Sequence, residues 1–155
     1  IWMNVLNKNS DAYLALRGMR TLNVRLTRHE KNALRIVEWL VGRDEVDRVL
    51  HPALESCPGH KFWKRDFSGS NGLFGLIFKT ENANAINIFI DSLELFGLGG
   101  SWGGCESLVL PTNVTRTETS WKHNHNSIRF HVGLEDPDDL INDLKCAFEL
   151  MNKSI

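Results

Sequence analysis

A chain of 155 residues, 42% apolar and 24% charged, has the length and usage of one ordinary folded domain, which excludes a disordered tract and a collagen-like repeat. Its 18 Lys and Arg stand against 19 Asp and Glu, so no basic field exists to gather phosphates, and nucleic acid is not an expected partner. No apolar run reaches the roughly 18 residues of a spanning helix, and residues 1–10 lack the basic start and apolar stretch of a signal peptide, so the expectation is a cytoplasmic protein with no membrane partner.

From Asp11 to about Gly42 the residues favour helix. Leu22, Leu26, Ala33, Val37 and Leu40 recur at a spacing that keeps them on one face, with His29 and Glu30 as a polar interruption. A stripe broken in this way suggests a helix that leaves one body and enters another, with the part before about Leu26 as a connector. Gly42 is a stop signal, and Val46–Leu50 reads as a short strand closed by His51-Pro52. Residues 53–72 read as a loop with one helical turn, built around the charged aromatic island His60-Lys61-Phe62-Trp63-Lys64-Arg65-Asp66-Phe67. Leu73–Phe78 is nearly continuous in apolar side chains and too short for a helix, so it reads as a central strand covered on both faces. Residues 82–93 place Ile86, Phe89, Ile90 and Leu93 at helical spacing, and Leu95-Phe96-Gly97 follows as a short extended piece.

Residues 97–104 hold five glycines in eight positions, and residues 107–110 then read as another strand, closed by Pro111. The polar stretch 112–126 is expected to be a surface loop. In residues 128–132, Ile128, Phe130 and Val132 share one strand face and Arg129 and His131 the other. Asp136 as cap, Pro137 at the first helical position, and Asp138 and Asp139 in the first turn open a helix whose Leu140, Leu144, Ala147, Phe148 and Met151 share one face. This order of elements implies an α+β fold with helices on one face of a mainly antiparallel sheet.

The residues able to carry chemistry are few. Cys57, Cys105 and Cys146 lie too far apart for a disulfide framework or a zinc knuckle and read as reduced thiols. His123 and His125 flank Asn124 with no carboxylate or Cys near by, so they read as loop residues and no metal is expected. Arg129, mid-strand opposite an apolar face, must reach water, pair with Glu135 or Asp136, or receive a ligand anion, and its fork suits a carboxylate. His131 on the same face reads as structural. Gly100-Ser101-Trp102-Gly103-Gly104 could bring bare backbone to an anion or simply turn tightly against the sheet; it matches no nucleotide-binding signature. Trp102 at its tip either plugs a groove or walls a pocket. Ser101 lacks the setting of a nucleophile, Cys105 reads as buried and inert unless a cation lies near, and Glu135, Asp136, Asp138 and Asp139 are explained by helix capping.

Several of these stretches resemble the Cys/Met-metabolism family of pyridoxal phosphate (PLP) enzymes, in order along the chain. They are Tyr13-Leu14-Ala15-Leu16-Arg17-Gly18-Met19-Arg20-Thr21-Leu22, His51-Pro52-Ala53-Leu54, the island 59–67, Ser70-Asn71-Gly72-Leu73-Phe74, Ser101-Trp102-Gly103-Gly104 with Glu106-Ser107-Leu108, and Arg129-Phe130-His131-Val132-Gly133-Leu134-Glu135-Asp136. Within the family, Phe62-Trp63-Lys64-Arg65-Asp66-Phe67 and Trp102 after Ser101 resemble the cystathionine beta-lyases. The resemblance implies PLP-dependent beta-elimination of cystathionine to homocysteine, pyruvate and ammonia, within methionine biosynthesis, by a homotetrameric parent. It implies the C-terminal small domain of a fold-type I enzyme, with residues 1–26 a remnant of the large domain and a connecting helix, and residues 27–155 the small domain. On it, Arg129 holds the substrate carboxylate, Ser101 assists through its backbone, and Trp102 lines the substrate pocket. Gly100 stands where beta-lyases often place Tyr, and Cys105 where an aromatic is usual, which leaves the pocket shape open. The Schiff-base lysine belongs to a large domain outside this chain, so no catalytic residue and no PLP are expected in the chain itself, which alone is expected to be inactive. The competing expectation is a stand-alone module that binds amino-acid carboxylates or a protein partner without catalysis.

Overall fold

The computed structural model describes residues 9–123 and 125–155. The readings made for residues 1–8, where the leader and the start of the connector were sought, and for Asn124 lie outside them. The chain runs α1 (Asn9–Arg20), α2 (Leu22–Val41), β1 (Val46–Leu50), α3 (His60–Asp66), β2 (Leu73–Phe78), α4 (Ala83–Asp91), β3 (Gly97–Leu98), β4 (Leu108–Pro111), β5 (Ser127–His131) and α5 (Pro137–Asn152). The strands form one sheet in the order β1-β2-β5-β4-β3, antiparallel except where β3 runs parallel to β4.

Register separates the two faces of the sheet. Phe74 lies opposite Phe130 and Leu76 opposite Ile128, and with Phe78 these side chains point into the core. Gly75 lies opposite Arg129 and Leu73 opposite His131, which puts the polar residues of β5 on the other face. The core face is covered by helices whose buried residues recur every three or four positions. In α5 these are Leu140, Leu144, Ala147, Phe148 and Met151, in α4 Ala85, Ile86, Phe89 and Ile90, and in α2 Ala33, Ile36, Val37 and Leu40. The Phe148 ring lies 4.6 Å from Phe89, 6.2 Å from Phe78 and 6.1 Å from Trp39, centroid to centroid, and ties α2, α4 and α5 to the sheet.

Local chemistry places the helix ends. Asn82 accepts from the Asn84 and Ala85 N–H groups at the start of α4. Asp136 accepts from Asp138 N–H with Pro137 in the first turn of α5, as the spacing implied.

Several expectations are corrected. The long N-terminal helix is broken at Thr21, where the Gly18 carbonyl accepts from the Thr21 N–H and closes α1. Leu22 and Leu26 are exposed, because among the described residues nothing packs over them, whereas His29 is buried and continues the buried stripe. Residue 26 itself lies within α2, three residues before His29, the first buried residue of that helix. The aromatic island forms α3, seven residues long, which buries none of its side chains and stays outside the helix layer. β2 is interior and flanked by β1 and β5, but β5 holds the middle of the sheet. The extended piece after α4 pairs at Gly97–Leu98, later than Leu95. Among the described residues no helix is long and apolar enough to cross a membrane.

Phe148→Ala should lower unfolding free energy by about 3–5 kcal/mol, Asp136→Ala by about 1 kcal/mol, and Phe62→Ala on the exposed α3 by less than about 0.5 kcal/mol. Urea denaturation measures all three, and a Phe148 loss no larger than the Asp136 loss would contradict the packing assigned to that ring.

Candidate functional site

Arg129 sits mid-strand on β5, between Gly75 of β2 and Leu110 of β4. Its Nη2 donates to the carbonyls of Gly100 at 2.9 Å and Ser101 at 3.3 Å, so the turn before Trp102 cradles one end of the guanidinium. Its Nε is buried and has no hydrogen-bond partner. A donor left this way costs about 1–3 kcal/mol unless an acceptor arrives. Of the alternatives for Arg129, the pairing with Glu135 or Asp136 does not occur, because both acids are engaged elsewhere.

Glu135 receives the Ser107 N–H at 2.6 Å and the Ser107 hydroxyl at 2.9 Å, and that hydroxyl oxygen accepts from the Gly133 N–H at 2.9 Å. Leu134 N–H donates to the Cys105 carbonyl at 2.8 Å. The loop after β5 and the end of the glycine turn are thus stitched together at backbone range. A Cβ at Gly133 would stand 2.1 Å from the Cys105 carbonyl oxygen, so only glycine permits this approach.

The tip of the turn is fixed by two histidines and an arginine. Gly103, at φ 78°, donates its N–H to His131 Nε2 at 3.1 Å. His29 Nε2–H donates to the Gly104 carbonyl at 2.9 Å, and Arg25 Nη1 donates to the Gly103 carbonyl at 3.3 Å. The residues between them, Ser101 and Trp102, are exposed, Trp102 at 65%. Cys105 is exposed too, which corrects the expectation of a buried thiol.

Trp102 lines a cavity of about 400 Å³ together with Leu22, Arg25, Leu26, Asn71 and His131. A second cavity of about 460 Å³ shares Asn71 and Leu73 with it and opens between His51 and the α3 rings of Phe62 and Trp63. Of the three residues expected at the site, Arg129 and Ser101 meet through the turn's carbonyls, and Trp102 faces the first cavity, which Arg129 does not line. Among the described residues no group of three or more metal-binding side chains exists. Neither cavity is lined by a lysine, so the described residues offer no amine for a Schiff base there and do not by themselves fit PLP.

Burial lowers the titration of His29 and His131 below the ordinary histidine range. The Gly104 carbonyl and Glu135 oppose this for both, while Arg25 adds to it at His29, and His29 and Arg129 add to it at His131. Burial also lowers His51, against the Asn71 backbone and Glu30. His29, Arg25 and Glu135 were not recognised as site residues from the sequence. A signal for His29 existed: it lies four residues before Ala33, on the same face as Val37 and Leu40. Nothing in the sequence announced that Glu135 reaches Ser107.

The chain matches the family model described as "Cys/Met metabolism PLP-dependent enzyme" over residues 4–149. It is 45% identical over 143 residues to a cystathionine beta-lyase of Escherichia coli (strain K12), covering 88% of this chain and 36% of that protein. An L-alanine/L-glutamate racemase of Wolbachia pipientis is 39% identical over 144 residues, covering 90% of this chain and 36% of that protein. In structure it is similar to a cystathionine gamma synthase from Xanthomonas oryzae pv. oryzae, with TM-score 0.83 and 32% identity over 94% of this chain and 39% of that one. The chain thus spans little more than a third of the length of these relatives.

Gly133→Ala should dislodge residues 105–107 and destabilise the fold by more than about 1 kcal/mol, read by urea denaturation. Stability should also fall on acidification. Above about pH 6.5 the buried histidines are neutral in both folded and unfolded chains. Below it the unfolded chain takes up protons that the native chain, with its lowered values, does not, so stability drops through that window and levels off once the native groups titrate. A urea midpoint that is equal or higher at about pH 5.5 than at about pH 7.5 would contradict the neutral burial of the three imidazoles.

Proposed function

Because the chain belongs to the Cys/Met metabolism family of PLP-dependent enzymes, we propose that it supplies the substrate-carboxylate clamp and part of the pocket wall of a cystathionine beta-lyase. Its architecture is the small α+β domain of the fold-type I PLP enzymes. The proposed parent reaction takes cystathionine and water to homocysteine, pyruvate and ammonia. PLP, held outside the described residues, would supply the chemistry of the elimination, and this chain's residues bind and orient the amino acid.

The observation that carries the proposal is Arg129. One nitrogen of its guanidinium is held by the Gly100 and Ser101 carbonyls while Nε is desolvated and has no acceptor. A guanidinium fixed at one end and unsatisfied at another is prepared for a carboxylate, which can accept two parallel N–H groups. Ser101 takes part through its backbone oxygen, and Trp102, the next residue of the turn, walls the neighbouring cavity. The beta-lyase assignment, rather than another reaction of the family, is supported by several relatives named cystathionine beta-lyase at 42–45% identity.

Residues 1–26 are proposed as the connection to the cofactor-bearing part and residues 27–155 as the small domain. Tyr13, Leu14, Leu16, Met19 and Val24 are exposed apolar side chains on α1 and the start of α2, a surface suited to burial against further protein. A second reading, a binding module without catalysis, draws on Phe62 and Phe67, which are exposed beside the second cavity. Pyruvate release separates the two: the 155-residue chain with PLP and cystathionine should give none, and the complete enzyme should give it readily.

In the complete enzyme Arg129→Ala should lower kcat/KM about tenfold to a hundredfold, the worth of a charge-assisted hydrogen bond of about 1.5–3 kcal/mol. Arg129→Lys should not restore it, because a point charge cannot replace the fork. Unchanged efficiency in the alanine variant would overturn the clamp. Trp102→Ala should alter the ranking of substrates while leaving PLP affinity in place, which a cofactor titration checks.

A further inference from the structure

We propose that His29 and His131 are a pair of positioning residues that latch the Ser101–Trp102 turn while both are neutral, and that protonation of His131 opens the latch and loosens the carbonyl cradle of Arg129. The two imidazoles are 1% and 2% exposed and stand edge to face, with ring centroids 5.1 Å apart. They grip consecutive residues of the turn in opposite senses. The Gly103 N–H donates to the His131 ring, 3.1 Å from Nε2 and 3.5 Å from Nδ1, which a neutral imidazole can accept because one of its nitrogens is unprotonated. His29 Nε2 carries a proton and gives it to the Gly104 carbonyl. Three and two residues upstream of Gly103, the Gly100 and Ser101 carbonyls receive Arg129 Nη2, so a displacement of the tip is passed directly to the cradle.

The two histidines respond differently to acid. A protonated His29 still donates from Nε2, and its bond to the Gly104 carbonyl survives. A protonated His131 carries a proton on both ring nitrogens and has no lone pair left for the Gly103 N–H, so that bond is lost. The surroundings of His131 are divided: His29 and Arg129 oppose a charge on it, and the Gly104 carbonyl and Glu135 favour one. Arg25 from α2 reaches the Gly103 carbonyl, and Arg129 from β5 shares the face with His131. The acids at hand are Glu135, engaged by the Ser107 N–H and hydroxyl, and Glu106, whose carboxylate lies beside Gly104. Gly72, on the remaining side of the ring, brings no titratable group. The lowered titration of both histidines fits a pair that works in the neutral state.

The latch is a statement about the turn; its link to affinity rests on the reading of Arg129 as the carboxylate clamp. Nuclear magnetic resonance of the 155-residue chain tests the first, following the Gly103 and Gly104 amides and the Trp102 indole between about pH 8 and about pH 5. The Gly103 amide should move with the midpoint of the His131 ring. His131→Gln, which keeps an acceptor but does not titrate, should hold the Gly103 amide near its alkaline position at every pH. His131→Phe should leave that amide unbonded and fast to exchange even at about pH 8. A Gly103 amide that ignores the His131 titration, or a Gln variant that still responds, overturns the latch, and these two measurements suffice if the Phe variant does not fold. Kinetics of the complete enzyme test the link: KM should rise about tenfold in His131→Phe with a smaller change in kcat, and His131→Gln should restore it. A responsive turn with unchanged KM in the Phe variant overturns the coupling to the clamp while leaving the latch in place.

Discussion

A turn rich in glycine has few side chains with which to hold itself, so its backbone groups must find partners elsewhere. The stretch from Gly97 to Ser107 meets this demand completely at its ends. Gly97 and Gly99 donate to the Ser107 and Val109 carbonyls, and Ser107 and Cys105 are bound by Glu135 and Leu134. Its tip is held by His131, His29 and Arg25 from two other elements. The position of Arg129 depends on all of these, because its guanidinium rests on carbonyls of the same turn. A buried polar backbone group without a partner is costly, and here the partners that satisfy the backbone also shape the site.

The core explains why these partners are rigid. Phe74, Leu76, Phe130 and Ile128 face the helix layer, and the same alternation turns Leu73, Gly75, Arg129 and His131 to the opposite face. A slip of one residue along β5 would drive Arg129 into a cluster of phenylalanines, so packing on one face sets the chemistry of the other. α2 serves both. Its second half fills the core through Ile36, Val37 and Leu40, and its first half brings Arg25 and His29 to the turn. Between them Asn32 donates to the Gly133 and Glu135 carbonyls and fastens the helix to the loop that carries Glu135.

On the proposed reading, a clamp for a carboxylate serves any α-amino acid, whichever bond the cofactor activates. That is consistent with a shared domain among relatives whose names include a beta-lyase, a gamma synthase and a racemase. The features that could distinguish substrates lie at the rim, in Trp102 and in the cavity walls contributed by α2 and α3. Trp102, Phe62 and Phe67 are exposed there, where residues can change without disturbing the core.

Much of the fold was legible in the residues themselves. β2 was marked by a short apolar run, β1 by the stops at Gly42 and His51-Pro52 on either side of it, α5 by Asp136, Pro137 and a regular stripe, and the faces of β5 by strict alternation, because each of these signals is local. The family motifs, rather than any local period, are what pointed to Arg129, Ser101 and Trp102. What the sequence could not determine is which residues meet across long separations. The engagement of Glu135 with Ser107, the docking of His29 on Gly104, and the freedom of Arg129 Nε from the acids that follow it are products of strand order and of where α2 crosses the end of the sheet. The period of α2 marked His29 as inward-facing, but only the assembled sheet decided that another imidazole and a glycine carbonyl would be waiting there.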